Sequence, residues 1–479
     1  MLIPKQPDFT YRYTLVGRNI LELIESGALK SGDKIPSLRD MSRKMRVSIT
    51  TVSQAYVELE SQGIIESRPK SGFFVKFNYG RLLPPPTPAT DTPIEPRELN
   101  RSDLIGTVRD LLGRSDIVPF AVACPDSSLL PGRELSRIMS SLLRDDTGRH
   151  IGYEMIGGNP ELRRQIAFRC IDAGATVMPD EIIVTHGAME AIFIAVRCLT
   201  RPGDTVVIQS PAYYCFLHLL ETLGLRVIEI PSHPDRGISP ADLADAVKQY
   251  DVKACIFNLN FNNPDGSIIA DAAREEIVRL LAAKSIPLIE DDVSGDICFG
   301  STRPHVCKKY DREGLVMLCS SFSKTIAAGY RIGWLIPGRF FQKALGLKVD
   351  ISVCTASPTQ AAVAEFLRTG KYERHLRKLR RSVETNMHTM QMAISRHFPS
   401  GTKVTRPAGG LALWIELAES VNSRELFFQA RAEGIGIVPG LICSTFEKYT
   451  NFIRLTCGGV WNKEMEKGIE KLGCLVRSS

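Results

Sequence analysis

Cysteine is absent before Cys124, and the twelve cysteines scattered from there to Cys474 include no C-x-x-C pair. That pattern argues for reduced thiols and excludes a disulfide scaffold or a structural zinc site, so no metal ligands are expected. Long apolar runs are missing too: no stretch holds the roughly 18 uncharged apolar residues that a membrane helix needs. The N-terminal MLIPKQPDF lacks the apolar segment of a signal peptide, and a cytoplasmic protein, nucleoid-associated when bound to DNA, is the expectation. A strong charge excess is also lacking. The net charge of +7 over 479 residues points to an anionic partner only where it is concentrated.

It is partly concentrated. Residues 1–78 carry twelve Lys or Arg against eight Asp or Glu. With 44% apolar and 24% charged residues, the chain has the composition of a globular protein and the length of several domains. Pro84-Pro85-Pro86-Thr87-Pro88, continuing to Pro93 and Pro96, marks a semi-rigid tether placed at 79–97. It divides a small domain, 1–78, from a large one, 98–479.

Before the prolines the pattern is three helices and a hairpin. Val16, Ile20, Leu23 and Ile24 share a helical face that stops at Gly27. Ser37 opens a short second helix in a capping-box-like arrangement, and Ser48 caps a third, with Val52, Tyr56 and Leu59 on one face and a stop at Gly63. Ile64-Ile65-Glu66 and Phe73-Phe74-Val75 flank Pro69-Lys70-Ser71-Gly72 as two short strands. This is a winged helix-turn-helix. Ser48, Ile49, Thr50 and Thr51 begin the helix that would enter a major groove, while Arg39, Arg43, Lys44 and Arg46, with Lys70 on the wing, would meet phosphates. Taken singly, Ser48 only caps, the arginines are solvated surface and Gly72 only turns; the constellation together predicts binding to a double-stranded DNA operator.

The run IPSLRDMSRKMRVSITTVSQAYVELESQGIIESRPKSGFFV resembles the DNA-binding domain of GntR-family bacterial regulators. The resemblance implies that Arg39, Arg46, Ile49, Thr50 and Gly72 approach DNA. Ile49 departs from the arginine or other polar residue often found there.

Beyond the prolines, strand-like runs at 182–184, 206–208, 227–230, 254–257, 287–289 and 316–319 alternate with helical segments. The alternation predicts an α/β domain with a mainly parallel sheet and a ligand at the C-terminal ends of its strands. The first run leads into Thr185-His186-Gly187-Ala188-Met189-Glu190, a strand-to-helix turn suited to a phosphate but lacking the spacing of a P-loop or dinucleotide fingerprint. The second leads into Ser210-Pro211-Ala212-Tyr213-Tyr214, whose aromatic face suits a flat ligand or a core. Asn262-Asn263-Pro264-Asp265-Gly266 and Glu290-Asp291-Asp292 follow later strands. In Ser320-Ser321-Phe322-Ser323-Lys324-Thr325-Ile326-Ala327-Ala328-Gly329-Tyr330-Arg331, a lysine flanked by hydroxyls precedes an arginine. These are the parts needed for a Schiff base to an aldehyde cofactor and for holding its phosphate.

That run resembles the pyridoxal-phosphate site of class I aminotransferases of fold type I, and the resemblance extends over about 98–479. Joined to the first domain, it resembles the MocR subfamily of GntR regulators. The fold implied is a winged helix-turn-helix followed by a large lobe with a mainly parallel sheet and an α+β small lobe. The resemblance implies that Lys324 carries pyridoxal 5'-phosphate (PLP) as a Schiff base. Asp291 pairs with the pyridine nitrogen, with Asp292 the alternative; Asn263 bonds the ring hydroxyl; Tyr213 stacks on the ring, with Tyr214 second. Ser321, Ser323, Arg331 and the backbone of Ala188 and Met189 hold the phosphate. Tyr153 matches a tyrosine that reaches the neighbouring subunit's phosphate, which implies a homodimer. Arg454, in Asn451-Phe452-Ile453-Arg454-Leu455, matches the arginine that grips a substrate carboxylate, a bidentate task suited to its fork; a structural ion pair is the local alternative.

Three positions depart from that pattern: Ser294 where a tyrosine is usual, Ala328-Gly329 for Pro-Gly, and Asp265 in the Asn-Pro-x-Gly turn. The expectation is a transcriptional regulator that senses PLP or an amino compound, without physiological turnover. An active aminotransferase with an accessory DNA-binding domain is the alternative.

Overall fold

The computed structural model describes residues 12–25, 28–29, 32–61, 64–68, 71–75, 83–88, 94–99, 102–111, 114, 116–145, 148, 151–300 and 302–479. Two compact units meet at Leu82/Leu83. Gly27, Gly63, Pro69 and Lys70, named above as helix stops and wing residues, lie outside the described residues.

The first unit packs α1 (Arg12–Glu25), α2 (Leu38–Met45) and α3 (Ile49–Ser61) against the hairpin β1 (Ile65–Arg68) and β2 (Gly72–Val75). Its core takes Val16, Ile20, Val52, Tyr56 and Leu59 from the predicted faces, joined by Ile35, Met41, Ala55, Ile64, Ile65 and Val75; the predicted Leu23 and Ile24 are only half-buried. Tyr56 is buried and donates its hydroxyl to the Pro36 carbonyl at 2.8 Å, so burying the ring leaves no polar atom unsatisfied. Ser37 caps α2 by accepting from the Asp40 N–H, and Ser48 does the same for α3 from the Thr51 N–H at 3.1 Å. Arg46 closes α2 in the left-handed conformation, φ 53°, which turns the chain sharply into α3. β1 and β2 pair antiparallel with Ile65 opposite Val75.

The second unit holds two sheets. Strands β3 (Ile183–Thr185), β4 (Thr205–Ser210), β5 (Arg226–His233), β6 (Gly237–Ile238), β7 (Val252–Phe257), β8 (Leu288–Asp291), β9 (Val316–Ser321) and β10 (Gly333–Ile336) form the larger, in the order β3-β10-β9-β8-β7-β4-β5-β6. From β9 to β5 neighbours run parallel; β10 is antiparallel to both β9 and β3. Each parallel strand carries a continuous buried stretch, as expected of a sheet covered by helices on both faces. The smaller sheet orders β11 (Lys403–Val404), β12 (Ala412–Glu416), β14 (Phe452–Thr456) and β13 (Val438–Pro439), with antiparallel pairing. It packs against the 27-residue helix Lys371–His397 and the last helix, Lys463–Ser478.

The six predicted strand runs all lie in the larger sheet. Among the described residues no helix is long and apolar enough to cross a membrane, and all twelve cysteines are free thiols.

The described part of the proline segment, expected over 79–97 as a semi-rigid tether, is hydrogen-bonded into the second unit. Val404 N donates to the Pro84 carbonyl at 2.8 Å, and Arg97 exchanges two 2.9 Å backbone bonds with Val227. Thr87 N donates to Glu416 at 2.6 Å, and Lys403 Nζ donates to both Thr87 Oγ1 and Glu416. Proline lacks a donor but keeps its carbonyl, so a proline-rich strand can still accept bonds along one edge.

Candidate functional site

Lys324 follows the end of β9, half-buried, and its amine has no hydrogen-bond partner among the described residues. Burial pushes its pKa below the ordinary lysine value; Cys124 and Asp291 oppose that push, and the Arg454 and Arg331 guanidiniums reinforce it. A lysine so placed has a larger neutral fraction and is a better nucleophile toward an aldehyde. Cys124 comes in from the segment between the helices Ser102–Arg109 and Gly132–Asp145, its Sγ 3.8 Å from the Ser323 carbonyl.

Two carboxylates end the neighbouring strand, and their surroundings separate them. Asp292 accepts from Asn260 Nδ2 at 2.7 Å and is ion-paired with Arg303, which also binds Asp296 at 2.7 Å. Asp291 has no arginine among the described residues. It accepts from Asn258 Nδ2 at 3.3 Å and Val293 N at 3.2 Å, and burial, aided by Asp292, pushes its carboxyl up to about 7 against those bonds. Asp291 is thus the carboxylate with no arginine already paired to it among the described residues.

The phosphate-type corner is built by register. Gly333 of β10 lies opposite Ser321 of β9 on one side and Thr185 of β3 on the other, which brings three chain segments to one level at the sheet end. Helix Ala188–Leu199 starts immediately beyond, so the Ala188 and Met189 N–H groups have no acceptor within the helix. Gly187 has φ +80°, and a Cβ there would fall on the Arg331 guanidinium. Arg331, itself left-handed at φ 55°, donates to the carbonyls of His186 at 3.2 Å and Ala328 at 3.1 Å. Ser321 Oγ accepts from Ser323 N at 3.3 Å. Positive charge, exposed N–H groups and hydroxyls therefore converge on a turn that only glycine fits.

Behind this turn lies a cluster that sequence reading missed. Lys348 is fully buried and donates to Glu190 at 2.8 Å, Ser352 Oγ at 2.8 Å and Thr355 Oγ1 at 3.0 Å. Glu190 in turn accepts from His186 N at 2.6 Å. Burial works upward on the Glu190 carboxyl, but hydrogen bonds from His186 and Lys348 bring it down to about 2. Only the His186 to Glu190 spacing, one helical turn, was visible locally.

At the same C-terminal strand ends stand Tyr213, after β4, and Asn263, after β7, with Arg454 on β14. Tyr213 caps helix Tyr214–Thr222 half-buried, its ring edge-on to Tyr214 at 5.0 Å and Phe216 at 5.4 Å, whereas Tyr214 is sunk in the core. Arg454 on β14 is 1% exposed and donates to Asn263 Oδ1 at 3.3 Å and to the Ala121 carbonyl. Its Nε is buried without a partner, and no carboxylate pairs with it among the described residues. The structural ion pair considered for Arg454 is therefore not formed there. A buried guanidinium without a counter-charge is costly, so an anion arriving beside it is strongly favoured. Tyr153 is apart from this group and 89% exposed. The Asp265 departure is absorbed structurally: it is buried and accepts from Asn262 Nδ2, Ser267 N and Ser232 Oγ at 2.8–2.9 Å.

In the first unit Arg39, Arg46, Ser48, Ile49, Thr50 and Gly72 are all exposed and Thr51 is half-buried. Ser48, Thr50 and Thr51 share a hydroxyl cluster with contacts of 2.7 Å. Arg43 lies 3.7 Å from Asp40.

Residues 128–472 match the family described as aminotransferase class I and II, and residues 12–75 match bacterial regulatory proteins, gntR family. The uncharacterized HTH-type transcriptional regulator YjiR of Escherichia coli is 35% identical over 96% of this chain and 98% of its own length. YdcR of the same organism, described in the same words, is 35% identical over 97% and 99%. An archaeal alanine:glyoxylate aminotransferase structure superposes with a TM-score of 0.74 at 26% identity, covering 80% of this chain and 96% of that one. LysN, the alpha-aminoadipate aminotransferase of Thermus thermophilus, solved with N-(5'-phosphopyridoxyl)-L-leucine, gives 0.73 at 24% identity over 78% and 94%, a likeness of fold. With a gntR helix-turn-helix ahead of an aminotransferase class I and II domain along nearly its whole length, the chain belongs to the MocR-type HTH transcriptional regulators.

Proposed function

We propose that the protein is a PLP-binding transcriptional regulator that binds a double-stranded DNA operator through its first unit and senses PLP or an amino compound through its second. The observation that carries this reading is the second unit's polar array: an amine of lowered pKa at Lys324, an unpaired carboxylate at Asp291, a glycine-gated anion corner at Gly187 and Arg331, and an unpaired buried Arg454. It occurs in a chain that also carries a complete helix-turn-helix.

PLP, when bound, supplies an aldehyde that condenses with primary amines and a ring that takes up electron density. Lys324 supplies the amine that holds the cofactor. Asp291 keeps a proton on the pyridine nitrogen, Asn263 bonds the ring hydroxyl, and Tyr213 covers a ring face. Ser321, Ser323, Arg331 and the Ala188 and Met189 N–H groups hold the phosphate. Arg454 takes the carboxylate of an amino compound. Tyr153, with exposed Ile151, Met155 and Ile156 beside it, faces a second copy in a cytoplasmic homodimer. Ligand control then requires that PLP or the amino compound bind two arrangements of the dimer with different affinity.

Purified protein should take up PLP with a visible absorption band and retain specific DNA fragments in a PLP- or amine-dependent way. A protein that turns over amino acids with 2-oxo acids but retains no specific DNA would instead be an aminotransferase with an accessory domain. That second reading draws on the complete set of polar groups, but Ser294, where the family often has tyrosine, weighs against it.

A further inference from the structure

The helix that a helix-turn-helix inserts in the major groove is α3, and its own composition limits which bases it can read. The sequence of α3, ITTVSQAYVELES, contains no lysine, arginine or histidine. The nearby cations stand off it: Arg39, Arg43 and Lys44 on α2, and Arg46 in the turn. Guanine presents two acceptors, O6 and N7, in the major groove and is read mainly by bidentate Arg or Lys. α3 has no such donor to offer.

What α3 does present is apolar and neutral. Ile49, its first residue, is 47% exposed, although nothing in the first unit's core requires it to be apolar. Val52, Ala55, Tyr56 and Leu59 supply the buried face; Thr50 and Gln54 are exposed on the opposite one, and Ile49, one turn before Val52, is exposed at the open N-terminal end of the helix. Ser48, Thr50 and Thr51 tie up their hydroxyls with one another at 2.7 Å. Thymine is the one base with a methyl group in the major groove, where apolar side chains contact it; adenine is the base that a glutamine amide reads.

We infer that α3 reads A·T pairs, with Ile49 packed on a thymine C5-methyl group and Gln54 addressing adenine. The inference rests on the DNA-binding reading above. Its test starts from duplexes selected out of a random pool by the full-length protein. In the tightest duplex each thymine is then replaced singly by deoxyuridine, which removes only the methyl group. One replacement should weaken binding about fourfold, the effect of one buried methyl-sized group. In Ile49→Ala that same replacement should have no effect, and Ile49→Arg should shift the selected base at that position toward guanine. A deoxyuridine scan in which no thymine effect disappears in Ile49→Ala overturns the inference and leaves the regulator intact. If no sequence is enriched at all, the DNA-binding reading itself fails. Ile49 is outside the core, so neither variant should lose its fold.

Discussion

Arg454 Nη1 donates to Asn263 Oδ1 at 3.3 Å, tying the central strand β14 of the smaller sheet to the turn that follows β7 of the larger one. A carboxylate that binds this guanidinium therefore acts on both sheets together. Arg454→Met should abolish the response of DNA binding to amino compounds while PLP is still taken up. Because Nε is buried without a partner, replacing the charge by an apolar chain should leave the thermal midpoint equal to or above that of the wild type. Calorimetry and amine-dependent DNA retention check the two halves separately.

Asp291 predicts a pH dependence. Its folded pKa is raised from 3.8 to about 7, so the folded state holds a proton that the unfolded chain has released. Stability of the cofactor-free protein should fall as pH rises through that window. Asp291→Asn removes this loss; at pH 7.5 the cofactor-free variant should be more stable than wild type by about 1–3 kcal/mol, yet bind PLP more weakly. Urea melts at pH 5 and 7.5 give the difference, and comparison with wild type cancels the contribution of Glu290, also raised to about 7 by burial.

Gly187→Ala should cost at least ~10-fold in PLP affinity, since the new methyl falls on Arg331 and φ is +80°. Absorbance titration measures it. The DNA-binding unit, which folds around its own core, should be unaffected.

Lys348→Met leaves the Glu190 carboxylate nearly buried without its cation, at a cost of about 3–5 kcal/mol. It should also loosen the turn that Glu190 holds through His186 N, and PLP affinity should fall with it. Combining it with Glu190→Gln should restore most of the stability, which a double-mutant cycle would report.

Salt should separate the two kinds of DNA contact. Arg39→Ala or Arg46→Ala should flatten the slope of log affinity against log salt by about one unit, whereas Ile49→Ala should lower affinity without altering the slope.

Much of this was legible because the chemistry is local. Lys324, its hydroxyls and Arg331 share one short run, and the strands that carry Asp291 and Ser321 are continuous apolar stretches. The α1–α3 pattern was equally direct, since its buried residues recur at helical spacing. What could not be read is what topology joins. Lys348 and Glu190 are 158 residues apart, and Arg303, which takes up Asp292, has no motif to mark it. Strands β11 and β13 have two residues each, too few to show a period. β10 begins two residues after Arg331, with no turn signal between to mark a new strand.

The proline segment was legible in conformation and not in what accepts its bonds. Pro84 is held by Val404 on the smaller sheet and Arg97 by Val227 on the larger, so the chain between them spans two fixed points. A shift of register at Pro84 or at Arg97 would break the backbone bond made there, so the described residues flanking each anchor should tolerate changes of length less well than a free linker.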